Sequence, residues 1–203
     1  MFEIGYSICF FIVCIYLLTN FQLPFYVLIP LLRFFGFVIF TLYAPFHEAT
    51  HGTAFKTAYL NRSVAWLTRL IYGYSPGTHQ GFHFAHHRYT NQEPDPEKGF
   101  SLPPIPARIW CQIFVAGILG MLVPVHSVML ALIPTTQWDH FEAAWAPKAK
   151  RKTLAWECRI VSVFWIGIFY CLLSHIMLMV YLLIGIFLGR FIHGFITVVE
   201  HKG

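Results

Sequence analysis

FYVLIPLLRFFGFVIFTLYAPF occupies residues 25–46 and runs directly into HEATH at 47–51. An α-helix needs roughly twenty apolar residues to cross a bilayer, and the first segment is long enough. It carries one charge, Arg33, for which the sequence offers no partner. The second segment sets His47 and His51 four residues apart, on one face of a helix that would continue the span. Upstream, Ile4 to Thr19 is a slightly shorter apolar run that can extend through Phe21, and Asn20, Gln22 and Pro24 mark a turn. The two runs read as a helical hairpin over residues 1–46.

Composition agrees with a bilayer setting. Of 203 residues, 57% are hydrophobic and 11% charged, against about 25% charged in soluble domains. The net charge of +5 comes without a dense Lys/Arg tract interleaved with aromatics. It fits a basic cytoplasmic face and excludes nucleic acid as a partner. The five cysteines, Cys9, Cys14, Cys111, Cys158 and Cys171, are odd in number and form no CxxC pair. They read as small hydrophobes in apolar runs. Glu3 in place of a basic leader argues against a signal peptide.

Residues 47–108 carry Lys56, Arg62, Arg69, Arg88, Lys98 and Arg108 and read as a cytosolic segment. Residues 109–133 are apolar but interrupted by Gly117, Gly120, Pro124 and His126. A full crossing there would put the basic cluster Lys148–Lys152 outside, so 109–158 is expected to be re-entrant or interfacial and then cytosolic. Residues 159–203 hold a second hairpin, broken near Ser174-His175. The expected fold is an all-α membrane protein. About four transmembrane helices form two hairpins beneath a cytosolic histidine-rich helical cap, in one domain over 1–203. Both termini and the site face the cytoplasm.

The second histidine cluster is His83-Phe84-Ala85-His86-His87. On a helix, His83 shares a face with both His86 and His87. Close neutral imidazoles gain little from packing and repel when protonated, and metal ligation resolves that tension. With His47 and His51 the candidates number five, more than one four-coordinate zinc uses. The count argues for two metals, and imidazole ligands open to oxygen suit iron. The first box is also a literal H-E-x-x-H, the signature of a zinc protease with Glu48 as base, but that reading leaves His83, His86 and His87 unexplained. His201 is a candidate sixth ligand, and His193 a candidate wall of a substrate tunnel. Glu48, Asp95 and Glu200 are the carboxylates placed to accept from ligand N–H groups. His79, His126, His140 and His175 are assigned structural or interfacial places.

These residues resemble the membrane fatty acid desaturase family. The likeness is carried by His47-Glu48-Ala49-Thr50-His51-Gly52-Thr53 with Leu60-Asn61, and by Phe82-His83-Phe84-Ala85-His86-His87-Arg88-Tyr89-Thr90-Asn91 with Asp95-Pro96-Glu97. Val199-Glu200-His201-Lys202-Gly203 looks like the family's E-H-x-G segment. The resemblance implies a non-haem centre of two iron ions, held by His47, His51, His83, His86, His87 and His201 at the cytosolic face. It implies oxygen-dependent insertion of a double bond into an acyl chain, with electrons from a donor such as cytochrome b5 or ferredoxin. The family carries a further H-x-x-H-H cluster downstream, and the chain given stops at Gly203, so it is expected to be C-terminally truncated and inactive alone. The alternatives are a related hydroxylase or ketolase acting on a lipid or carotenoid, a non-catalytic remnant, and, last, the intramembrane zinc protease.

Overall fold

The computed structural model describes residues 2–90, 92–96, 106–140 and 146–200, and among them every regular element is helical. The helices are α1 (Phe2–Asn20), α2 (Phe25–Thr41), α3 (Tyr43–His51), α4 (Ala58–Tyr72), α5 (Pro76–Tyr89), α6 (Pro106–Met121), α7 (Val123–Leu132), α8 (Arg151–Leu172) and α9 (Ile176–Glu200). Among the described residues, three stretches are long and apolar enough to cross a membrane: Phe25–His51, Lys148–Leu172 and Ile176–Ile196. The bent pair α6–α7, turned by 47° at its break, makes a fourth if it counts as one span. The first apolar helix, Ile4–Asn20, is shorter than these.

The hairpin expected at the N-terminus is present. Ser7 Oγ lies 3.0 Å from Thr41 Oγ1, and Phe10 and Phe11 meet Phe34 and Phe35, so α1 runs antiparallel to α2. Arg33 lies on the exposed face of α2, where a long side chain can reach towards the bilayer edge. α2 and α9 run parallel and in close contact. Gly185 and Gly189, four apart on α9, back onto Phe35, Gly36 and Ile39, and a Cβ on Gly36 would stand 2.5 Å from Leu188 Cβ. Small residues at this spacing let two membrane helices approach backbone to backbone. The shared core of α1, α2, α8 and α9 includes Cys14, Phe35, Ile39, Leu42, Val161 and Trp165.

α6 lies against the last turns of α9. Trp110 meets Phe195, and Gly120 faces the side chain of Arg190. α7 then packs on the first turns of α8, with Leu130 and Ala131 in one cluster with Leu154, Ala155 and Cys158. The pair therefore begins and ends near the same ends of α8 and α9. Arg151, within the Lys148–Lys152 cluster, is buried. Its guanidinium is held by Asp139, Ala146 O and Thr135 O. It thus serves the fold, and the lysines on either side supply the exposed charge.

Candidate metal centre

α3 continues α2 with a one-residue break at Leu42, which carries His47 and His51 beyond the apolar run. It stops at Gly52, whose φ of 74° is left-handed, and Thr53 N closes the turn on Glu48 O at 3.0 Å. Asn61 pins the following loop, accepting from Phe55 N and donating to Gly52 O and Phe55 O. α4 buries Asn61, Ala65, Thr68, Arg69 and Tyr72, a stripe at helical spacing. α5 starts with Ser75 as N-cap, accepting from Thr78 N, and with Pro76 at its first turn. Glu157 of α8 fastens that start. Its Oε2 accepts from Gly77 N at 2.7 Å and from Ser75 Oγ at 3.0 Å.

The result is one group of imidazoles. His47, His51, His83 and His87 each offer a ring nitrogen, and all four lie within 4.8 Å of one another. His83 is buried at the centre; its Nε2 is 3.0 Å from His51 Nε2 and 2.9 Å from His87 Nε2. Nitrogens packed this closely must share protons or a cation between them. Burial first, then its histidine neighbours, pushes the His83 imidazole down to about 3, so the ring is uncharged at neutral pH. Two rings rest on carboxylates. His47 Nδ1 is 3.3 Å from Glu48 Oε1, and Thr53 Oγ1 donates to Glu48 Oε2 at 2.6 Å. His86 Nδ1 is 2.9 Å from buried Asp95. A proton on each Nδ1 directed at its carboxylate leaves Nε2 as the lone-pair nitrogen. These donors fit a transition-metal ion: neutral nitrogens, convergent and carboxylate-oriented.

The two boxes thus meet through His47, His51, His83 and His87, and His86 stands beside them, turned to Asp95. His193 packs its ring 3.9 Å from that of Tyr43, near His47. It lines neither the groove between α3, α4, α5 and α8 nor the apolar pocket between α1, α2, α8 and α9. His201 and the side chains of Glu200 and His140 lie outside the described residues.

A family model for the fatty acid desaturases matches residues 21–203. The chain belongs to the fatty acid desaturase family. No curated protein and no solved structure matches it. Membership and the histidine cluster together support a desaturase-type function for this family member. Sequence reasoning missed several of its supporting residues. Arg69 is buried, with its guanidinium over the Phe46 ring at 4.5 Å and bonded to Thr50 Oγ1 and Pro76 O, so it ties α3 to α5. Burial pushes it down to about 9, still a cation at neutral pH. The available signal was phase, since Arg69 falls on the same helical stripe as Ala65 and Tyr72. His79 stacks on His83 and meets Phe46 edge-on, backing the cluster with ring surface.

Proposed function

We propose that this protein inserts a double bond into the acyl chain of a lipid, using two iron ions and dioxygen at the histidine cluster. The observation that carries the reading is the convergence of both histidine boxes on one point. His47, His51, His83 and His87 would hold iron, with His86 and His201 completing the set. When bound, the iron supplies the redox chemistry by which oxygen takes two hydrogens from adjacent methylenes. The chain's own residues do the rest. Glu48 and Asp95 orient His47 and His86 and keep their Nδ1 protons in place. Phe46 and His79 form the apolar floor under His83 that limits water. Electrons would come from a donor such as cytochrome b5 or ferredoxin.

The test is the protein expressed from its natural reading frame and purified from membranes. It should contain about two iron ions per chain, as imidazole sites with open positions favour. Lipid mass spectrometry should show a new double bond that requires oxygen. A hydroxylated product would move the assignment to a hydroxylase. Tightly held zinc without iron would overturn it in favour of the protease reading of H-E-x-x-H.

The same proposal sets the sidedness. α2 and α9 run parallel, so the turns Phe21–Pro24 and Leu173–His175 share the end remote from the histidines, and neither contains Lys or Arg. Lys56, Arg62, Arg88, Lys148 and Lys150 are exposed at the histidine end. That end is then cytoplasmic, and α6–α7 dips in and returns. With the exposed cysteines Cys9, Cys111 and Cys171 replaced by serine, Thr90→Cys and Ala149→Cys should label from the cytoplasm and Ser174→Cys from the opposite side. Labelling of the first two from opposite sides would make α6–α7 a full crossing.

A further inference from the structure

α8 starts at the histidine end, and one of its faces is exposed along its whole length. Lys152, Trp156, Arg159, Val163 and Tyr170 follow one another at intervals of three, four and seven residues, so they form a single stripe, and all five are exposed. The stripe changes character as it descends. Lys152 opens it, beside exposed Lys148. Trp156 comes next, 63% exposed, a residue that favours the interfacial level of a bilayer. Arg159 lies about 10 Å further along the axis than Lys152. Below it come Val163 and Tyr170, at the level of the lipid chains.

Arg159 is turned back towards the start of the helix. Its Cζ lies 4.5 Å from the centre of the Trp156 ring, and its Nε donates to Ala131 O at 3.4 Å, one residue before exposed Leu132 at the end of α7. The guanidinium is therefore held at a fixed place on the α7–α8 seam, with Ile160 exposed beside it. Lys148, Lys152 and Arg159 form no ion pair among the described residues. Glu157, the one carboxylate of α8, is turned to α5, where it accepts from Ser75 Oγ and Gly77 N.

Cations, an aromatic ledge and an apolar stripe, in that order, match the layout of an anionic phospholipid from phosphate to chain. A zwitterionic lipid carries its own ammonium beside the phosphate and gains less from a guanidinium fork. An acidic protein would meet the lysines from the water but would not follow the stripe down to Val163 and Tyr170.

We propose that this face of α8 holds an anionic phospholipid of the surrounding bilayer, its phosphate between Lys152 and Arg159 and a chain along Val163 and Tyr170. The lipid is a fixed companion of the α7–α8 seam, not a reactant, and the inference does not depend on the desaturase reading.

Native mass spectrometry of the detergent-purified, delipidated protein tests it, with equimolar dioleoylphosphatidylglycerol and dioleoylphosphatidylcholine as probes. Wild type should retain the glycerol lipid about fivefold or more over the choline lipid. Lys152→Gln/Arg159→Gln should bring that ratio close to parity. Arg159→Lys, which keeps the charge and loses the fork, should lower it by about twofold or more. Arg33→Gln/Lys56→Gln removes the same charge elsewhere and should change it by less than about twofold. Equal retention of the two lipids by wild type, wild-type selectivity in both Arg159 variants, or an equal loss in the charge-matched variant would overturn the proposal. Two further outcomes replace the lipid with another occupant. Displacement by a hexaglutamate peptide would make the face a docking surface for an acidic protein. Conversion of a dimer to a monomer in Lys152→Gln/Arg159→Gln, with the lipid ratio unchanged, would make it a contact between copies.

Discussion

His83→Ala is expected to abolish product formation and to strip the protein of most of its iron. His83 is the buried hub of the cluster, within 3.0 Å of His51 Nε2 and 2.9 Å of His87 Nε2. Under the proposed assignment its removal takes a ligand from the centre of the cluster. Asp95→Asn should act more gently, because His86 keeps its ring and loses only the carboxylate that orients it; about 10- to 100-fold in metal affinity is the usual scale. Metal analysis of both variants, purified alongside wild type, checks the order. Wild-type iron and turnover in His83→Ala would remove His83 from the ligand set and with it the convergence argument.

Gly189→Leu should have the largest effect on stability. Any Cβ there would stand 2.9 Å from Gly36 O and 2.9 Å from Ile39 Cγ2, and backbone cannot swing away as a side chain can. Overpacking of this kind costs about 1–3 kcal/mol or more. The variant should lose monodispersity on size exclusion and melt well below wild type. Gly167→Leu is the matched control, because nothing lies within 4 Å of a Cβ at that position. Equal melting of the two variants would mean that α2 and α9 do not depend on their glycine contact.

Much of this architecture was legible in the sequence because the bilayer demands long apolar runs and metals demand paired histidines. The span at 25–46, its continuation into His47 and His51, and the break near Ser174 all follow from those two constraints. The Gly185–Gly189 pair was also visible, but spacing alone does not say which helix it meets. Residues 109–133 were ambiguous because length and hydropathy do not distinguish a bent pair from a straight crossing. Asp95 is nine residues on from His86 and beyond the end of α5, so helical periodicity does not report that the two meet. Arg69 looked like one more cytosolic charge. Its burial follows from Thr50, Pro76 and Phe46, which come together only in the fold.

The Glu157 clamp on the start of α5 also has a mechanical meaning. His47 and His51 hang from α2, whereas His83 and His87 hang from α8 through Glu157, Ser75 and Gly77. The two halves of the cluster therefore hang from separate struts, α2 and α8, with Arg69 as a cross-tie between α3 and α5. An ion shared between them is a rivet across those struts. Changes in bilayer thickness that tilt α2 relative to α8 load that rivet directly. Under the proposed metal assignment, hold on the ion would then depend on the surrounding membrane as well as on the ligands themselves.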